Sequence, residues 1–428
     1  MLQRDSYGLA LTCGRDAAVA YCEGLGTVLR LGHGATAAFA RSVVLDPGFA
    51  LGHAALALLG HEMCAPVDIA ARLRDARRLA PAATERERSH VHAVDRHLQG
   101  DPAPLVRHLE TWPVDALLLS TAMPTIAFAG VTEVPEQAWR IVEGAQPAYG
   151  DDWWYAGLLA FVRQEQRRFD EAMELSCASL AAEPRAGHSA HARAHAHYET
   201  GDHDAGLAWM SDWVVRDGAG TDSLSHFSWH AALHELSMGD LDAVRRRYET
   251  QLRPETTVGC RALVDTGSLL FRWALTPGAR DVPAMTEVTS RLEPQTLQRP
   301  ATPFLAMHAA VALLATDDRA GLLSLERWAA AHEHPTQVTV VAPLARSLRQ
   351  MLDGACSLAA DGLRDLAPQV WRLGGSDAQR EIVEEARIAA LLRGDRYDEA
   401  RALIDARMDR RPCRRDEQWR RDTEVTRR

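Results

Sequence analysis

The stretch "HYETGDHDAGLAWM" at 197–210 reads as the end of one helix, a Gly-Asp turn, and the start of a second helix. Glycine ends a helix without a Cβ penalty, and an acid opening the next one caps free N–H groups and suits the helix dipole. The plan returns in "LHELSMGDLDAVRRRY" (233–248) and "ALLRGDRYDEARALID" (390–405). "RQEQRRFDEAMELSCASLAAEP" (163–184) follows it without the glycine, and its "DEA" precedes the "DAG" at 204–206 by 34 residues. Pro184, Pro254 and Pro412 close helices of this type, and "SVVLDPGFALGHAALALLGHE" (42–62) has the form of a junction between repeats.

Elsewhere apolar residues recur at three- and four-residue spacing amid abundant alanine, which is a helical pattern. Only "TQVTVVAPL" (336–344) carries a β-branched cluster. A helix–turn–helix unit with a period near 34 is the tetratricopeptide plan. The expected fold class is therefore all-α: a TPR-like α-solenoid of roughly six to eight stacked helix pairs in a right-handed superhelix, the first helix of each pair lining the concave face. It is expected to run as one domain over 1–410, least regular at 270–340. Residues 411–428, "RPCRRDEQWRRDTEVTRR", are expected as an arginine-rich, solvated tail.

Composition narrows the function. The 428 residues are 46% hydrophobic and 25% charged, with a net charge of −10, values of a globular protein and not of a disordered or nucleic-acid-binding one. The chain contains no lysine, which excludes Schiff-base chemistry, a P-loop and a kinase-type ATP site. It also contains no asparagine, and its Ala, Arg, Leu and Gly bias is that of a GC-rich, bacterial genome. The seven cysteines are scattered without a C-x-x-C, so reduced thiols are expected and not a disulfide framework or structural zinc. The opening residues lack a secretory apolar core and no stretch reaches membrane-spanning length; the expectation is a cytoplasmic protein with no membrane and no nucleic-acid partner.

The histidines carry the chemistry. "HSAHARAHAHYE" (188–199) places His188, His191 and His195 on one helix face by i, i+3, i+7 spacing, followed by Tyr198 and Glu199. "HFSWHAALHE" (226–235) repeats the 191/195 pair as His226 and His230, 35 residues on, with Trp229 between them. The same step leads from His226 to Arg261 and from His230 to Asp265. Two rows across neighbouring helices follow, His191–His226–Arg261 and His195–His230–Asp265, with packed helices about 8–10 Å apart. His195 precedes its turn by six residues and His230 by nine, so the rows can be staggered. Such a set can hold a divalent metal through His191, His195, His226 and His230. It can equally bind an anion, or serve acid–base chemistry through His195, His230 and Asp265. The plain alternative is a polar groove wall with no chemistry. "HEMCA" (61–65) and "HELSM" (234–238) lack the second histidine of a zincin. In "RLGGSDAQRE" (372–381), Ser376 and Asp377 read as helix caps, with Arg380 within reach of the groove.

The chain resembles the tetratricopeptide repeat protein 38 family. The resemblance is carried in order by "RDSYGLALTC" (4–13), "DPGFALGHA" (46–54), "RERSHVHAVD" (86–95), "HARAHAHYE" (191–199), "HFSWHAALHELSMGD" (226–240), "LVDTGSLLFRW" (263–273) and "RLGGSDAQRE" (372–381). The family pattern falls on His53, His90, His191, His195, His197, His226, Trp229, His230, Asp265, the Gly374–Arg380 loop and, more loosely, His308. Where the family has an acid two residues before that last histidine, this chain has Ala306. The resemblance implies an all-helical repeat protein whose polar motifs gather in the interior; it brings no activity with it. The first reading is a binding protein whose concave groove, lined by His53, His90, His191, His226, Tyr198, Glu199, Trp229, Arg261 and Arg380, takes a protein segment or a small acidic molecule. The second is an enzyme, of bacterial secondary metabolism, with a metal or acid–base site at His191, His195, His226, His230 and Asp265.

Overall fold

The structure, a computed structural model, describes residues 2–63, 65–121, 135–221, 223–257 and 259–425. Among them the chain is almost wholly helical, as the apolar spacing predicts. The strands are β1 (Gln3–Arg4) and β2 (Ala10–Leu11), paired antiparallel with Gln3 opposite Leu11. The chain groups into two compact units, 1–193 with 217–223 and 194–216 with 224–428.

In the first unit, adjacent helices pack in pairs: α1 (Arg15–Leu29) with α2 (Ala35–Leu45), α3 (Ala50–Glu62) with α4 (Ile69–Leu79), and α5 (Glu85–His97) with α6 (Ala103–Thr111). Helix α5 opens with a capping box between Thr84 and Glu87. The short α7 (Ala116–Leu119) and α8 (Pro135–Tyr149) precede the pair α9 (Trp153–Glu165) and α10 (Phe169–Ala182). Tyr21, Phe39, Phe49, Trp154 and Phe161 are fully buried in its core. The division between units falls inside α11 (Gly187–Thr200), after Arg193.

In the second unit, α12 (His203–Val215) packs on α13 (Leu224–Met238), and α14 (Leu241–Arg247) continues into a π-helical turn, Tyr248–Leu252. A second π-helical turn, Ala262–Gly267, feeds α15 (Ser268–Leu275). The irregular stretch holds the short α16 (Thr286–Thr289) and α17 (Pro294–Gln298), then α18 (Pro303–Ala315). After α19 (Arg319–Ala330), the β-branched stretch 336–344 forms no strand; Gln337–Val341 is a π-helical turn leading into α20 (Ala342–Leu352). The unit ends with α21 (Cys356–Leu366), α22 (Asp377–Arg393), α23 (Tyr397–Arg410) and α24 (Arg414–Val425).

The Gly-Asp turns are built in two ways. Gly201 and Gly239 take φ of +75° and +72°, and Asp240 caps α14 by accepting from the Ala243 amide. At 394–395 the positive φ falls one residue later, on Asp395, and Arg396 stands at the N-cap. Gly206 serves a different need: a Cβ there would lie 2.5 Å from the His234 ring, so its absence lets α12 close onto α13.

Residues 411–425 are not a solvated tail; 426–428 lie outside the described residues. Arg411, Cys413, Arg415, Asp416 and Trp419 are buried. Arg407 Nε donates to Asp416 Oδ2 (2.9 Å), Trp419 Nε1 donates to the Leu275 carbonyl (3.0 Å), and the Arg411 guanidinium lies 4.0 Å over the Tyr198 ring. Helix α22 supplies Glu381 and Glu385 to the arginines, Arg415 pairing with Glu385 and Arg411 with Glu381. Arginine's planar fork suits such buried pairing, which charge density alone did not reveal.

Candidate functional site

The second unit gathers five of the expected residues, His195, His226, Trp229, His230 and Arg261, in one cluster with Asp265. Asp265 is wholly buried on the π-helical turn, an arrangement that re-aims a side chain. Its Oδ1 lies 2.8 Å from His226 Nδ1, and Ser225 Oγ donates to its Oδ2 at 3.1 Å. Arg261, one turn before Asp265, stands 3.9 Å from the same Oδ2. The His226 ring stacks on Trp229 (centroids 5.4 Å) and meets His230 edge-on at 4.8 Å. His230 in turn meets His195 edge-on at 4.5 Å. His195, His226, Trp229 and His230 are all buried.

Two of the expected pairings therefore differ. His195 does meet His230, 35 residues on, but Asp265 answers His226 and not His230. The third helix is displaced by one turn, because His226 and Asp265 are 39 residues apart and not 35. Arg261 consequently serves Asp265 on its own helix.

Electrostatics separates the roles. Burial pushes the Asp265 carboxyl up, but His226, Arg261 and Ser225 offset this and hold it below the usual carboxylate range. Burial, reinforced by His226 and Arg380, lowers His195 to about 3. His230 lies well below its ordinary value from burial and from the neighbouring His195, His226 and His234. At neutral pH the cluster thus holds an ionised Asp265 and, further along, the neutral imidazoles of His195 and His230. His308 on α18 is lowered to about 3 by burial and by Arg272, with Asp265 opposing. Neither ring nitrogen of His308 has a hydrogen-bond partner, nor does the buried indole N–H of Trp229. Ala306 is buried beside it on α18, where an acid would have met this field.

The other expected residues have different places. His191 belongs to the first unit, where its ring stacks on Phe161 at 5.0 Å. Tyr198 and Glu199 join the arginine network: Tyr198 donates to Glu381 (2.8 Å), and Arg411 reaches Glu199 at 3.1 Å. Arg380 holds the carbonyls of Gly374 and Gly375 and pairs with Asp377, while Ser376 is the N-cap as expected, its capping-box partner being Gln379 and not Asp377. His203 and His234 face each other at 3.1 Å through their Nδ1 atoms.

His53 and His90 lie in the first unit. His53 Nε2 is 3.4 Å from the Pro47 carbonyl and its Nδ1 3.8 Å from Asp75. His90 sits in a cluster that the sequence reading missed. Asp115 Oδ2 receives His90 Nδ1 (2.8 Å), His108 Nε2 (3.1 Å) and Arg86 Nη1 (3.1 Å), all buried. Glu62 with His61 and His97 was missed as well.

No known protein family's sequence profile matches this chain.

Proposed function

We propose that the second unit carries a histidine acid–base site that binds a small anionic molecule, the Asp265–His226 pair being its working dyad. The observation that carries the reading is the buried chain Asp265–His226–His230–His195, ionised at Asp265 and neutral at His230 and His195. A carboxylate on Nδ1 fixes the imidazole's tautomer and orientation and stabilises it when it takes up a proton. His230 and His195, neutral and in contact, suit a relay for that proton. Arg261 and Arg380 put positive charge beside the chain and favour an anionic substrate, and the partnerless Trp229 N–H is a donor for it. The burial of every member supports a small acidic molecule over a protein segment, which would need an open groove. The Gly-Asp turns and paired helices support the tetratricopeptide-type superhelix and the family resemblance as the frame of this reading.

A metal-binding reading of the same cluster rests on one observation: His195 and His230 offer ring nitrogens within 4.8 Å of each other, and His226 leans on a carboxylate as metal-bound histidines do.

Calorimetric titration of the full chain with short mono- and dicarboxylates and inorganic phosphate tests the proposal. At least one anion is expected to bind, with affinity lost in His226→Ala and Asp265→Asn. If no anion binds, or if both variants bind it as the wild type does, the reading fails.

A further inference from the structure

The sequence "HEM" at 61–63 fails as a zincin because no second histidine follows four residues on. The fold supplies one from another helix. His61 and Glu62 end α3, and His97 ends α5, which packs against α3. His97 Nε2 lies 2.6 Å from Glu62 Oε1, and His61 Nε2 lies 3.8 Å from the same oxygen. The two imidazoles meet edge-on at 5.7 Å, and one donor atom from each of the three residues lies within 4.8 Å of the others. We propose that His61, Glu62 and His97 form a divalent metal site in the first unit, taking zinc or a similar borderline ion with a coordination position left to solvent.

Four observations lead there. Glu62 is 4% exposed, yet its Oε2 has no hydrogen-bond partner. An unpaired buried carboxylate oxygen is costly, and a cation is the partner that suits it best. The distances also fit. A tetrahedral ion with bonds of about 2.05 Å spaces its ligand atoms about 3.3 Å apart, so the 2.6 Å pair must open by about 0.7 Å and the 3.8 Å pair close by about 0.5 Å. All three residues occupy the last turns of their helices, whose carbonyl ends carry partial negative charge. His61 keeps 32% of its side chain exposed, which opens a route for the ion and leaves room for water on it.

The neighbouring Asp115 cluster makes the contrast. It also has two histidines and a carboxylate, but Arg86 stands 3.1 Å from the carboxylate oxygen that both histidines share. That cation fills the place an ion would take. Among the described residues, the charges acting on His61 are those of Glu62 and His97. Two nitrogens and one oxygen form a ligand set for zinc, iron(II) or manganese, not for calcium or magnesium.

The test is binding of Co²⁺ and Zn²⁺ to full-length protein without a histidine tag, stripped with chelator, read by calorimetry and by the visible bands of tetrahedral cobalt. One equivalent is expected to bind, with three protein ligands and the remaining position left to water. His97→Ala and His61→Ala should each weaken binding by at least about 10–100-fold, the loss that removal of even an outer partner produces. His61→Ala removes a partly exposed side chain, so it reports on binding even if His97→Ala unfolds. A His195→Ala, His230→Ala double variant should bind as the wild type does. Absence of stoichiometric binding overturns the proposal, and so does binding that survives His61→Ala unchanged or vanishes only in the double variant.

Discussion

Replacing Glu385 with glutamine tests whether buried charge ties the C-terminal helix to its unit. Glu385 Oε1 accepts from Arg272 Nη1 at 3.0 Å and from Arg415, and Arg407 Nη2 lies 3.7 Å away. Around it, Arg272, Arg407, Arg411 and Arg415 face Glu199, Glu381, Glu384, Glu385 and Asp416. The four arginines hold the Glu381 carboxyl well below its usual range against the opposing effect of burial. Glutamine keeps an acceptor oxygen but removes the one carboxylate charge that the buried Arg272 and Arg415 share. Removing one member of a buried pair costs about 3–5 kcal/mol, and the retained acceptor points to the lower figure, about 3 kcal/mol. In a unit of roughly 230 residues each kcal/mol lowers Tm by about 2–4 °C, so a fall of about 6–12 °C is expected. Differential scanning calorimetry of the full chain measures it, with amide exchange in α22 and α24 assigning the transition. Glu385→Leu combined with Arg415→Leu should recover part of the loss, since an apolar pair of similar volume removes both buried charges. A fall below about 2 °C for Glu385→Gln would mean that water or neighbouring acids screen the site, and the reasoning would be wrong.

Asp265→Asn should destabilise by about 1.5–3 kcal/mol at pH 7, the range for hydrogen bonds to charged groups. Because the folded pKa of Asp265 lies below its unfolded value, this contribution is complete above about pH 4 and disappears as pH falls through the folded value. Urea titrations should show the gap to wild type closing toward pH 3; a gap independent of pH contradicts the ionised assignment. His195 and His308, lowered to about 3, should show no NMR titration between about pH 5 and 8, and a midpoint near 6.5 at either refutes their burial. The unfolded chain protonates these residues first, so stability should fall as pH drops from about 6.5 toward 3, less steeply in His308→Leu. Ending the chain after Arg410 removes Asp416 from Arg407 and Arg411 from Tyr198, and should abolish the cooperative transition of the second unit. An unchanged transition would return residues 411–428 to the status of a solvated tail.

The helices and their pairing were legible because both are local: three-and-four spacing, Gly201 and Gly239 at turns needing positive φ, and a capping acid at Asp240. What escaped was set by register and by partners distant in sequence. The 35-residue step joins His195 to His230, but it fails at the next helix, where the π-helical turn lies and Asp265 stands one turn further on. No local pattern announces that shift, since a π-helical turn depends on what packs against it. The tail was misread for a related reason. An arginine-dense segment looks solvated until its acids are found, and Glu381 and Glu385 lie about thirty residues upstream on α22. The same step explains the metal proposal, because Glu62 and His97 are also 35 residues apart. Applied from His61–Glu62 as it was from His226 and His230, it would have brought His97 to them. A zincin places its second histidine one turn along the same helix. In this chain of packed helix pairs the partner of Glu62 lies 35 residues away, so ligand sets here are better sought at that step than at i+4.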